Sequence, residues 1–119
     1  MNDNLEKTIV IKVKIPQKSK LKFKIICTEK RVTMSYVLET LISQWIEDNF
    51  SINNFILEPA TEECEDLKGY ISESLKTSFK ITCIEKGITM RFALYNLICL
   101  WIQKEYKNVK SNKLKSKKS

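Results

Sequence analysis

Residues 23–46 read FKIICTEKRVTMSYVLETLISQWI, and residues 79–102 read FKITCIEKGITMRFALYNLICLWI. The second stretch lies 56 residues after the first, and 13 of the 24 aligned positions are identical. The matches include Phe23/Phe79, Cys27/Cys83, Glu29/Glu85, Thr33/Thr89, Met34/Met90, Leu41/Leu97 and Trp45/Trp101. Solenoid arrays need about three or more copies, because each copy buries its face on the next. Two copies point instead to a fused pseudo-dimer, one chain holding two halves that would otherwise associate.

Each copy reads as strand, helix, short turn, helix. Upstream of the first, TIVIKVKIP (8–16) alternates, with Ile11, Val13 and Ile15 on one face and Lys12 and Lys14 on the other, the pattern of a half-buried strand. Pro16 stops that strand and suits the first turn of a helix. The first helix runs to about Lys30 with Phe23, Ile26 and Cys27 as its apolar stripe. Thr33 is the expected N-cap of a second helix, whose buried face is Leu38, Leu41, Ile42, Trp45 and Ile46. Ser35, Glu39, Ser43 and Glu47 form its wet side. In the second copy Ser72 caps a helix carrying Leu75, Phe79 and Cys83 inward, and Gly87 ends it in the left-handed region. Thr89 caps a last helix expected to end near Tyr106.

The second strand is the least decided element. The 56-residue offset selects residues 67–71, with Leu67, Gly69 and Ile71 inward and Lys68 and Tyr70 outward, although glycine is depleted in strands. Phe55, Ile56 and Leu57 form a better strand on propensity, so 55–59 stays open as the alternative partner. The last helix is apolar nearly all round, with Tyr95, Cys99 and Leu100 where its twin has Glu39, Ser43 and Gln44. Phe50, Ile52 and Phe55 of the linker, or a second copy of the chain, must cover that extra face.

The 119 residues are 43% hydrophobic with only two Gly and two Pro, which bounds the chain to one modest, mostly helical core. The opening MNDNLEK has no signal-peptide character, and the longest apolar run falls short of the roughly 20 residues of a membrane span. The expectation is a soluble, cytoplasmic protein without membrane contact. Four scattered cysteines and no histidine leave no zinc pattern; Cys27 and Cys83 read as buried small hydrophobes. No cofactor or metal is expected. The net charge of +7 is unevenly placed: residues 50–66 carry −5, while the tail 107–119 carries six lysines and no acid. The acidic stretch reads as a solvated linker, and the tail as a disordered arm suited to phosphates.

With IPQKSKLKFKIICTEKRVTMS and ISESLKTSFKITCIEKGITMR, the chain resembles the ribbon-helix-helix family of DNA-binding proteins, the Arc/MetJ type. The resemblance covers about 8–49 and 67–106. It implies a mainly α fold with a short β ribbon, a tandem ribbon-helix-helix pseudo-dimer, with 1–106 a single compact domain, 50–66 an acidic linker and 107–119 a basic tail. By the same resemblance the partner is double-stranded DNA, entered in the major groove by the ribbon, as in viral or plasmid transcriptional regulators and repressors. Such a regulator would work in the cytoplasm, or in the host cytoplasm or nucleoid if viral.

Carried over position by position, the resemblance makes Val10, Lys12, Lys14, Lys68 and Tyr70 the base-contacting residues. Thr33, Met34 and Ser35, with Thr89, Met90 and Arg91, become the phosphate contacts at helix N-termini. Arg31 departs from the family's usual glycine and leaves the first interhelical turn open. Because the copies differ, the recognised site need not be palindromic. The competing class is a protein-interaction module, antitoxin-like or oligomerising, using the apolar last helix. An enzyme is not expected: the chain has no His, no Gly-rich phosphate loop and no matched acid pair.

Overall fold

The computed structural model describes residues 7–48 and 63–118, with side chains described through Tyr106. The chain is mainly helical with one two-stranded antiparallel sheet. Its elements run β1 (Thr8–Pro16), α1 (Gln17–Lys30), α2 (Met34–Asp48), β2 (Cys64–Ser72), α3 (Glu73–Lys86) and α4 (Met90–Lys118). Strand, helix, helix therefore occurs twice in order.

The alternation in β1 settles as expected, with Ile11, Val13 and Ile15 buried and Val10, Lys12 and Lys14 exposed. The second strand takes the offset segment and extends it, so Cys64, Glu65 and Asp66 are strand rather than linker. The rival segment 55–59 lies outside the described residues, as do Phe50, Ile52 and Phe55. Leu67, Gly69 and Ile71 face inward. The glycine has a packing reason that outweighs its poor strand propensity: a Cβ there would stand 2.6 Å from Leu38 Cδ1 and 3.3 Å from Ser35 Oγ. Only a residue without Cβ lets the first turn of α2 lie this close to the strand.

Pairing runs from Thr8 opposite Ser72 to Pro16 opposite Cys64, with Lys12 opposite Lys68 at the centre. Glu73 N donates to Lys7 O at 2.9 Å, which extends the ladder at odd positions. At even positions the backbone turns outward: Tyr70 N donates to Ser35 Oγ at 2.9 Å, and Val10 O accepts from Lys76 Nζ at 3.1 Å. The even residues thus form the non-hydrogen-bonded pairs, with Cα atoms about 4.5 Å apart and side chains closer together. Those are the pairs on the exposed face.

The two interhelical turns are the same turn. Arg31 adopts φ 58, ψ 42 and Gly87 φ 71, ψ 29. Val32 N bonds Cys27 O, and Ile88 N bonds Cys83 O, each at 3.0 Å. The departure at Arg31 leaves the geometry intact. Thr33 Oγ1 accepts from Tyr36 N and Thr89 Oγ1 from Phe92 N, both at 3.0 Å, and Ser72 Oγ from Leu75 N at 3.2 Å. All three expected caps are made.

The core joins the copies crosswise, with α1 packed chiefly on α4 and α3 on α2. Phe23 meets Trp101 edge-on with ring centroids 5.2 Å apart, and Phe79 meets Trp45 at 5.6 Å. One contact is the other with the two copies exchanged.

Several expectations are corrected. In α2 the buried face is Val37, Leu38, Ile42 and Trp45, while Leu41 and Ile46 are half-buried. Ser35 and Ser43 are also half-buried, Ser35 where it meets the β2 backbone at Tyr70, while Glu39 and Glu47 are exposed as expected. Helix α4 continues to Lys118, past the expected end near Tyr106, since no proline or glycine follows to break it. Residues 93–98 of α4 are all buried, including Asn96, whose Nδ2 donates to Phe92 O at 2.9 Å. Among the described residues no helix is long and apolar enough to cross a membrane.

Candidate functional site

Between the end pairs Thr8–Ser72 and Pro16–Cys64, the exposed face of the ribbon presents three cross-strand pairs: Val10 with Tyr70, Lys12 with Lys68, and Lys14 with Asp66. Each has its own chemistry. Val10 and Tyr70 are 40% and 59% exposed, an apolar and aromatic end. Lys12 and Lys68 set two ammonium groups side by side on a closely spaced pair, where like charges cost stability. Among the described residues neither is held in an ion pair. A central double cation is therefore an acceptor-seeking feature that folding alone does not favour.

At the far end Lys14 Nζ lies 3.3 Å from Asp66 Oδ1. The hydrogen bond and charge of Lys14 hold the Asp66 carboxyl below its ordinary range, with smaller help from Lys12 and Lys68. Asp66 was missed in the sequence because it fell within the acidic linker. The repeat offset was the available signal: Asp66 stands 56 residues after Val10, a position already placed on the outward face.

All five expected ribbon residues thus share one face. The helix-start residues divide. Arg91, in the first turn of α4, lines a shallow cleft of about 300 Å³ with Lys12, Val13, Lys14 and Asp66. On the opposite edge Ser35 is tied to β2 through the Tyr70 N–H. Thr33 and Thr89 are exposed but their hydroxyls serve as caps. Met34 and Met90 are partly buried against the core, so they offer an anion their backbone N–H groups rather than their side chains. Both helix starts flank the ribbon, α2 beside β2 and α4 beside β1.

Away from the ribbon, a groove of about 260 Å³ between α2 and α4 is lined by Val32, Tyr36, Leu41 and Trp101. Lys30 on its rim is paired with Glu105 at 3.0 Å. The Cys27 and Cys83 thiols are buried, and desolvation pushes both up to about 11. Burial also raises Cys99, against a lowering hydrogen bond from Tyr95. These are protonated core thiols, unsuited to nucleophilic work. Among the described residues no group of three or more His, Cys, Asp or Glu is placed to hold a metal ion. Compared with known protein families, curated proteins and solved structures, the chain shows no match.

Proposed function

We propose that the chain is a tandem ribbon-helix-helix pseudo-dimer that binds double-stranded DNA sequence-specifically, inserting its β1–β2 ribbon into the major groove to regulate transcription. The observation that carries this is the Lys12–Lys68 pair at the centre of an exposed antiparallel ribbon flanked by two capped helix starts. Lysine donates to guanine O6 and N7 in the major groove, and a two-stranded ribbon is of the size that groove admits. The pseudo-twofold has two supports. Lys12 and Lys68 are repeat equivalents that pair with each other, and Phe23–Trp101 mirrors Phe79–Trp45. The helix starts and Arg91 supply phosphate contacts on both sides of the groove.

The competing reading as a protein-interaction module rested on an uncovered apolar face of the last helix. Of that face Tyr95 is only 7% exposed and Cys99 is half-buried, while Leu100 is 38% exposed, so a narrower apolar strip than the sequence suggests supports this reading.

Selection of binding sites from random duplexes with the full chain tests the proposal, followed by gel shifts of Lys12→Ala/Lys68→Ala. The double variant is expected to fold normally, since both side chains stand in solvent on a like-charged pair. Its discrimination against a scrambled duplex should fall by about 1–3 kcal/mol for each well-made lysine–base hydrogen bond removed. Unchanged selectivity would show that the ribbon is not the reader.

A further inference from the structure

The three ribbon pairs are unlike one another, and the far one contains a carboxylate. A carboxylate facing DNA is repelled by phosphates unless its charge is offset and it meets a donor. Lys14, 3.3 Å away, supplies the offset, and the register places the pair on the same face as Lys12 and Lys68. In the major groove guanine offers only acceptors, and thymine an acceptor and a methyl group. Adenine sets its N7 acceptor beside the N6 amino group, whereas cytosine offers the N4 amino donor alone. A carboxylate is therefore matched best by cytosine.

We propose that Asp66 is a specificity-determining residue of the ribbon, accepting a hydrogen bond from cytosine N4 and giving the bound site a direction. This rests on the DNA-binding reading above. At the other end Val10 and Tyr70 offer no acceptor of that charge, and their exposed apolar atoms suit thymine methyl groups. Read along the ribbon, the site runs from thymine at the Val10–Tyr70 end, through guanine at the lysine pair, to cytosine at Asp66. Lys14, drawn to Asp66, acts as its counter-ion rather than as an independent guanine reader.

The test is duplex selection with the full-length chain, its Asp66→Asn variant and a Glu65→Gln control. Glu65 engages Gln17 at 2.9 Å and Lys20 at 3.3 Å and takes no part in the reading pairs. The native chain is expected to select a non-palindromic site with cytosine on one side only. Asp66→Asn, near in shape and with an amide that matches adenine N6 and N7, should lose roughly 5- to 100-fold of the cytosine preference and gain adenine there. Circular dichroism checks that the variant is folded. A palindromic site, an unchanged motif in Asp66→Asn, or the same change in Glu65→Gln overturns the assignment while leaving DNA binding in place. Absence of any duplex selection by the native chain removes both the assignment and the reading beneath it.

Discussion

At the scale of single residues, Gly69 sets how closely α2 approaches the ribbon. Gly69→Ala forces a methyl group against the fully buried Leu38. It should destabilise the fold by about 1–3 kcal/mol, as overpacking does, read from the urea midpoint. An unchanged midpoint would mean that Leu38 has room to move. Propensity alone marked this glycine as a defect in the strand, because the partner that needs the space is distant in sequence. Arg31 was misleading in the opposite direction: the sequence shows an unsuitable residue, yet the hydrogen bonds of the turn hold it in the left-handed region. The buried thiols of Cys27 and Cys83 were legible from apolar spacing, and they carry a pH consequence. Their folded pKa of about 11 exceeds the ordinary 9.0, so above pH 9 the unfolded chain releases protons that the folded chain keeps. Stability is complete below pH 9 on this account and falls as pH rises toward 11. Comparing midpoints at pH 8 and 10.5 for the native chain and a Cys27→Ala/Cys83→Ala variant isolates the effect. A variant with the same pH slope as the native chain would show that other groups cause it.

At the scale of elements, the proposed DNA-binding function makes the two helix starts unequal partners for a phosphate. The start of α4 adds the Arg91 guanidinium to a cleft shared with Lys12 and Lys14, while Ser35 of α2 is spent on the Tyr70 N–H. Arg91→Ala should weaken binding to all duplexes about equally and lower the salt slope by about 1. Ser35→Ala should leave the salt slope alone and act through the ribbon edge. Equal slopes for Arg91→Ala and the native protein would show that Arg91 touches no phosphate. The helices and β1 were readable because period and caps are local. The full extent of β2 was not, since Cys64, Glu65 and Asp66 join the strand only by pairing with Pro16, Ile15 and Lys14 far upstream. Asp66 was within reach of the 56-residue offset from Val10, but its place in the acidic stretch masked it as a site residue.

At the scale of the whole molecule, positive charge recurs in the ribbon lysines Lys12, Lys14 and Lys68, along α1, and in a run of six lysines in 107–119. Removing 107–119 should weaken binding to every sequence alike and lower the slope of log K against log salt by roughly 2–4, if two to four lysines meet phosphates. An unaltered slope would make the tail a passive extension. The duplication itself was legible from thirteen shared positions, whereas the crosswise core was not, because identity between copies does not say which copy packs on which. That both strands of the ribbon belong to one chain has a further consequence under the law of mass action. A ribbon shared by two separate subunits falls apart on dilution, and its melting temperature drops with concentration. Here the strands stay tethered at any dilution, so the melting temperature should hold constant across a hundredfold range of concentration. Each half also has its own codons: a change at Val10 leaves Asp66 untouched, and under the proposed DNA-binding function the two halves would be free to evolve toward different bases.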